Sequence, residues 1–187
     1  MRRIAAVVLS VIVVNSTCAA REPLEVKGDR IGETIAQFTA HYPNAKCEDQ
    51  TPVLKNCSQT QNVSLGQVTT DSAACNPPQI GTSWEQVCTR QGVHATFYEG
   101  QLRIITYTFA GDFTQSVCDA FIARYGKPRD KLKGGCSWWG DQDNVHLGAW
   151  TRHKQQIGTD FDETEVELWD NNVIKRAKTF DLKGPTQ

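Results

Sequence analysis

The sequence has little that would attract a nucleic acid. Its 187 residues carry 20 Lys and Arg against 21 Asp and Glu, which gives a formal net charge of -1, and no dense basic cluster follows the first three residues. DNA and RNA binding depends on a concentrated positive surface, so no nucleic-acid partner is expected. The 39% hydrophobic share and the 14 glycines are instead typical of a globular protein with a buried core.

Recognisable catalytic and metal-binding motifs are also missing. The sequence contains no Gly-x-Ser-x-Gly, no His-Glu-x-x-His and no Gly-rich phosphate loop. It has no Cys-x-x-Cys pair, its histidines show no metal-ligand spacing, and the acidic loops that begin at Asp141 and Asp160 do not match an EF-hand. We therefore predict no catalytic residues, no metal and no cofactor, with an enzyme of dispersed catalytic residues as the alternative.

No apolar run is long enough to span a membrane. The longest, Ile4 to Val14, follows a basic start and precedes the small residues Cys18-Ala19-Ala20. This order is typical of a signal peptide, so we predict that residues 1–20 are removed and that the mature chain, without a transmembrane segment, is periplasmic or secreted. Lipidation at Cys18 is not favoured, because Asn15-Ser16-Thr17 lacks the aliphatic and small pattern that precedes a lipidated cysteine.

Loss of Cys18 leaves six of the seven cysteines. An even number in an exported protein indicates disulfides, although spacing alone permits many pairings. Sequential pairing closes the three shortest loops, and we predict it. The pairs are Cys47 with Cys57, Cys75 with Cys88, and Cys118 with Cys136.

Apolar periodicity predicts two helices. Ile31, Ile35, Phe38 and Tyr42 are separated by four, three and four residues, which is one stripe of an amphipathic helix ending at Pro43. The second helix has a similar stripe, a capping-box pattern and a Gly-x-Pro stop. These features are the stripe Phe113, Val117, Phe121 and Tyr125, the capping pair Asp112 and Gln115, and the stop Gly126 and Pro128.

Alternating segments predict an antiparallel sheet. Val93 to Phe109 is predicted to be a hairpin with Glu99-Gly100 as its turn, and three further strands follow. Those strands are Ser137 to Trp139, Val145 to His153 and Thr164 to Asp170. The hairpin register that we predict pairs Phe97 with Leu102, Ala95 with Ile104 and Val93 with Thr106, which places Tyr107 on the opposite face.

The helices and strands suggest a repeated arrangement. Phe38-x-Ala40-x-Tyr42 matches Phe121-x-Ala123-x-Tyr125 at an offset of 83 residues, and each helix precedes a cysteine-bearing loop and strand-like segments. We predict an α+β fold of two tandem helix-then-antiparallel-sheet units, residues 21–111 and 112–187, with the helices on one sheet face and disulfides as staples.

This arrangement resembles that of the secreted β-lactamase inhibitor protein family, and the single unit is similar to the small lipoprotein subunit of the outer-membrane barrel-assembly machine. Phe121 to Pro128 also resembles a helix ending of uncharacterised bacterial envelope proteins. The resemblance implies that Cys47–Cys57 and Cys118–Cys136 are corresponding staples, whereas Cys75–Cys88 has no counterpart. It also implies protein binding through a concave sheet face, without catalysis.

One group of residues is the candidate binding site. Aromatic side chains and Arg on one sheet face are typical of interface hot spots, and the alternation of the last strands brings such residues together. The predicted partner-binding residues are Trp139, His146, Trp150, Arg152, Glu167, Trp169 and, from the hairpin, Tyr107. Two alternatives stay open: the tryptophans pack as ordinary core, or exposed coplanar rings bind a glycan. Our prediction is an exported, non-catalytic module that binds a protein in the periplasm or outside the cell.

Overall fold

The computed structural model describes residues 22–60, 63–65, 68–69, 91–130, 134–140, 144–156 and 159–173. The predicted signal peptide and the predicted Cys75–Cys88 disulfide lie outside these residues.

The strands of the described residues are β1 Lys46–Asp49, β2 Leu54–Gln59, β3 Ser64–Leu65, β4 Val68–Thr69, β5 Gly92–Tyr98, β6 Gln101–Ala110, β7 Gly135–Trp139, β8 Val145–Gln156 and β9 Thr159–Asp170. Seven of them form one antiparallel sheet in the order β1-β2-β5-β6-β9-β8-β7, and β3 pairs with β4 in a separate hairpin. The predicted α+β class with an antiparallel sheet is confirmed. Strands from the two predicted units join through β6 and β9 in one sheet, and the division into tandem units stays a prediction.

The first helix, α1, spans Ile35–His41 and is shorter than its apolar stripe, because Ile31 precedes it. Thr34 caps the helix, and its hydroxyl accepts from the Gln37 N–H while the Gln37 side chain accepts from the Thr34 N–H. These bonds satisfy two of the amide groups that a helix start leaves unpaired. The helix ends before Pro43, as predicted.

The second helix, α2, spans Thr114–Tyr125 and ends at Gly126, as predicted. Gly126 adopts φ of 77°, a left-handed conformation that glycine reaches without steric cost. The predicted capping box is wrong. The Asp112 carboxylate accepts from the Thr114 N–H and the Thr151 hydroxyl, and the Gln115 amide donates to Asp119 within the helix.

Both helices pack against the same face of the sheet, which we call the helix face. The Phe38 ring of α1 lies 5.5 Å from the Phe97 ring of β5, and the Phe121 ring of α2 lies 5.7 Å from the Trp138 ring of β7. Cross-strand pairing puts Phe97 and Trp138 on one side of the sheet. The fully buried apolar side chains of this face, among the described strand residues, are Val93, Phe97, Leu102, Ile105, Phe109, Leu147, Ala149, Val166 and Leu168.

The β5–β6 hairpin confirms the predicted turn and corrects the predicted register. Glu99 and Gly100 both have positive φ, as a type I′ turn requires. Phe97 pairs with Leu102 as predicted, but a bulge follows, so Val93 pairs with Tyr107 instead of Thr106. A bulge inserts one extra residue and reverses which face the following side chains occupy.

Two disulfides match the predicted pairing. Cys47–Cys57 joins directly paired positions of β1 and β2, and Cys118–Cys136 ties α2 to β7. Such bonds form in oxidising compartments outside the cytoplasm. Among the described residues, the structure contains no helix of the length and apolarity that a bilayer crossing requires.

Candidate functional site

The face of the sheet opposite the helices, here called the far face, carries a row of aromatic side chains. Trp139 of β7, His146 of β8 and Trp169 of β9 occupy neighbouring positions, because His146 pairs with both tryptophans. The His146 ring centroid lies 4.5 Å from that of Trp139 and 3.8 Å from that of Trp169, and Trp150 lies 6.1 Å from Trp169. We call these four residues the aromatic cluster.

His146 is the most buried member of the aromatic cluster. Its side chain is enclosed between two tryptophans, and its Nδ1 atom is buried with no hydrogen-bond partner in the described part of the chain. Burial lowers the pKa of His146 to about 4, with the charge of Asp130 acting weakly in the opposite direction. The ring is therefore neutral near pH 7 and packs as an aromatic side chain, while the three tryptophans remain half-buried.

Charged groups flank the aromatic cluster. The Arg152 guanidinium is ion-paired with Glu165 and lies 5.9 Å from the centroid of the Trp150 ring, within the range of a cation–π contact. The half-buried Glu167 carboxylate accepts from the Thr106 hydroxyl at 3.2 Å. Burial raises the pKa of Glu167, and the Thr106 hydrogen bond and the Arg152 charge partly offset that rise.

Six of the seven predicted site residues therefore share the far face. Tyr107 does not, and its prediction as a surface anchor is wrong. The bulge turns its side chain to the helix face, where it is fully buried and its hydroxyl contacts Asp29 and lies 2.9 Å from the Tyr42 hydroxyl. Trp139 joins the cluster, whereas the adjacent Trp138 packs against Phe121 in the core.

Ring orientation distinguishes between kinds of ligand. The Trp139 and His146 rings are inclined by 75° and the Trp150 and Trp169 rings by 76°, whereas the His146 and Trp169 rings are inclined by 38°. Rings at such different angles do not form the flat, coplanar platform that we expect of a glycan-binding site. They do form an irregular, partly apolar surface that side chains of a protein partner can pack into.

A cavity of about 1050 Å³ lies beside the end of α2, where Trp138, Val145 and Asp170 line it from the helix face of the sheet. It shares one lining residue, Trp139, with the aromatic cluster. Five cationic residues line this cavity against two acidic ones, Glu22 and Asp170, so its surroundings are positive although the chain has a net charge of -1. The cations are Arg30, Arg103, Arg124, Lys127 and Arg129. Glu25 pairs with both Arg30 and Arg124, and Asp170 pairs with Arg103 at 3.1 Å, which holds these side chains at the cavity wall.

No protein-family model, curated protein or solved structure matches this chain. Its function must therefore be argued from the geometry of the far face and of the basic cavity.

Sequence reasoning missed two parts of this region. Glu165 pairs with Arg152 and lies opposite Trp150 in the sheet, and its alternation with Glu167 already placed it on the same face. The basic cavity has no sequence signal, because its cations come from the N-terminal segment, β6 and the region around the end of α2.

Proposed function

We propose that the protein is an exported, non-catalytic module that binds a protein partner through the far face of its sheet. The observation that carries the proposal is the contiguous aromatic cluster of three half-buried tryptophans around His146, flanked by Arg152. Tryptophan and arginine are the residues most often responsible for binding energy at protein interfaces. A preformed sheet surface also loses little conformational entropy when it binds.

Charge supports a partner with acidic groups beside its apolar contact. Trp139 belongs both to the aromatic cluster and to the lining of the basic cavity, and among the described residues Lys127 and Arg129 have no ion-pair partner. Complementary charge at the rim of an interface chiefly steers association and fixes orientation. The aromatic cluster would then supply most of the affinity, and the cavity the direction of approach.

Two separate features support an extracytoplasmic location. The two disulfides are typical of an oxidising environment, and the N-terminal sequence has the order of a signal peptide. We infer that the partner is encountered in the periplasm or outside the cell. The proposed tandem units would each contribute one half of the sheet: strands β1, β2, β5 and β6 from the first unit, and β7, β8 and β9 from the second. The far face would then be one surface built by both units.

The test compares truncations on and off the far face. The oxidised mature protein is immobilised, a partner is isolated from the envelope or secreted fraction of the source cells, and the purified pair is measured by calorimetry. Trp150→Ala and Trp169→Ala should each raise the dissociation constant about 30-fold or more, as expected for hot-spot residues. Ile122→Ala removes a 41% exposed side chain from α2 and should leave the dissociation constant unchanged.

Ile122 is a suitable control because it is a large apolar side chain with exposed surface that lies on α2, away from the far face. Far-ultraviolet circular dichroism and thermal unfolding first establish that each variant is folded. Retention of full affinity in both tryptophan variants would contradict the proposal. Equal losses in the tryptophan variants and in Ile122→Ala would also contradict it, because the effect would then not be specific to the far face.

A further inference from the structure

A cluster of ligating side chains lies in the core next to α1, away from the aromatic cluster. Its centre is Asp29, a fully buried carboxylate at the end of a tight turn in which Lys27 and Gly28 have positive φ. Asp29 Oδ2 accepts from the Tyr42 hydroxyl at 2.6 Å and also contacts the Tyr107 hydroxyl. The two phenols thus hold the carboxylate in one orientation and leave its second oxygen for other contacts.

That second oxygen faces an imidazole. Asp29 Oδ1 lies 2.7 Å from Nδ1 of His41, the last residue of α1. The His41 side chain is 44% exposed, so one side of the cluster is in contact with solvent although Asp29 itself is not. An ion in solution would therefore approach the cluster from the His41 side.

Glu33 completes the cluster and is only partly satisfied by the protein, because the Arg30 backbone donates to its carboxylate. Its Oε2 atom is buried and has no hydrogen-bond partner in the described part of the chain. One ligating atom each from Asp29, Glu33 and His41 lie within 4.8 Å of one another. Burial, and next the negative charge of Asp29, raise the pKa of Glu33. Two carboxylates thus share a partly desolvated region with one imidazole, and a buried carboxylate oxygen without a partner is energetically costly.

We propose that Asp29, Glu33 and His41 form a binding site for a divalent transition-metal ion such as Zn²⁺. An imidazole nitrogen and two carboxylate oxygens are ligands that Zn²⁺ accepts, at about 2.0 to 2.2 Å. Asp29 Oδ1 and His41 Nδ1 share a hydrogen bond at 2.7 Å, and zinc would displace its proton to solvent and take its place between the two atoms. Rotation of the Glu33 carboxylate would bring in the third ligand. Ca²⁺ and Mg²⁺ fit less well, because they prefer oxygen ligands alone.

The surrounding groups have the arrangement of an outer ligand shell. Tyr42 and Tyr107 donate to the Asp29 oxygen that does not face His41, and such hydrogen bonds orient metal-binding carboxylates. Three protein ligands leave at least one coordination position for water or for a group of a partner. Spacing in the sequence did not reveal the site, because Asp29 and Glu33 precede the helix that carries His41.

Calorimetric titration of ZnCl₂ into the oxidised mature protein, freed of metal by dialysis against EDTA, tests the proposal. The wild-type protein should bind one zinc ion. Glu33→Gln and His41→Gln should each raise the dissociation constant for zinc about tenfold or more. His153→Gln is the matched control. His153 Nδ1 also lies beside a carboxylate, that of Asp162, but no third ligand joins that pair among the described residues.

Thermal unfolding in EDTA checks that the variants are folded, and zinc should raise the melting temperature of the wild-type protein and of His153→Gln only. The proposal is overturned if the wild-type protein shows no saturable zinc binding. It is also overturned if Glu33→Gln and His41→Gln bind zinc as tightly as the wild-type protein, or if His153→Gln weakens binding as much as they do. None of these results depends on the protein partner, so this proposal and the proposed function fail separately.

Discussion

The two faces of the sheet are built from the same strands but differ in how completely their side chains are buried. On the helix face, apolar side chains such as Phe97 and Leu168 are fully buried, and the hydroxyl of Tyr107 is hydrogen-bonded. On the far face, the tryptophans of the aromatic cluster are only half-buried, and the Nδ1 atom of His146 has no partner in the described part of the chain. Burial on the helix face is complete within the chain, whereas the far face retains apolar surface that a partner could cover.

The difference has an energetic meaning. Burial of apolar surface stabilises by about 25 cal/mol per Å², so side chains already at zero exposure gain nothing further from a partner. Half-buried tryptophans still have area to lose to a partner. Mutations on the helix face should therefore act on folding, and mutations on the far face should act mainly on binding.

The largest expected effect is the difference between Phe97→Ala and Trp150→Ala in the free energy of unfolding that each variant loses. Phe97 is fully buried against Phe38, so its truncation should lower the free energy of unfolding by about 3 to 5 kcal/mol. Trp150 is half-buried, and its truncation should cost no more than about 2 kcal/mol despite removing the larger side chain. Urea denaturation of both variants with their disulfides intact measures the difference. Equal losses would show that the far face is as much a core as the helix face.

Alternation in the sequence predicts correctly which face most side chains of β8 and β9 occupy. It assigns Leu147 and Leu168 to one face and His146 and Trp169 to the other. Alternation failed in β6, where Tyr107 was placed on the wrong face. A bulge has no signature in the alternation of apolar and polar residues, since Ile104 and Ile105 fit either register equally well.

The spacing of the cysteines and of the helical apolar residues also predicted structure correctly, but only between positions that are close in the sequence. Spacing predicted the Cys47–Cys57 and Cys118–Cys136 disulfides and the end of α2 at Gly126. The joining of β6 to β9 could not be predicted in this way, because a strand pattern does not specify which distant strand it pairs with. The basic cavity and the cluster around Asp29 depend on the same long-range contacts, and neither leaves a local pattern.

A smaller effect should come from the protonation of His146. Its pKa is about 4 in the folded protein against an ordinary value of 6.5, so the unfolded chain takes up the proton first as the pH falls. Stability should therefore be lost between pH 6.5 and 4, by on the order of 2 to 3 kcal/mol from this group. His146→Phe keeps an aromatic ring between Trp139 and Trp169 and cannot be protonated. Its free energy of unfolding should fall less steeply over this range than that of the wild-type protein.

Urea denaturation at pH 7 and at pH 4.5 makes this comparison, because carboxylates and the other histidines contribute equally to both proteins. A parallel fall in the two proteins would show that the His146 ring is not desolvated by the aromatic cluster. That result would weaken the assignment of the far face as a preformed aromatic surface, since it would imply that water reaches its centre.

The smallest and sharpest comparison uses two adjacent residues of β6. Tyr107 points to the helix face, where its hydroxyl donates to the buried Asp29 carboxylate, and Thr106 points to the far face, where its hydroxyl donates to the half-buried Glu167. Tyr107→Phe should cost about 1.5 kcal/mol in the free energy of unfolding, because it removes a donor from the fully buried Asp29. Thr106→Val keeps the branched shape and should cost about 0.5 kcal/mol or less, because solvent can replace the lost donor to Glu167.

Thr106→Val should, however, alter partner affinity, whereas Tyr107→Phe should not. A larger stability loss in Thr106→Val than in Tyr107→Phe would reverse the roles assigned to the two faces, since it would mean that the polar groups of the far face are the ones on which the fold depends.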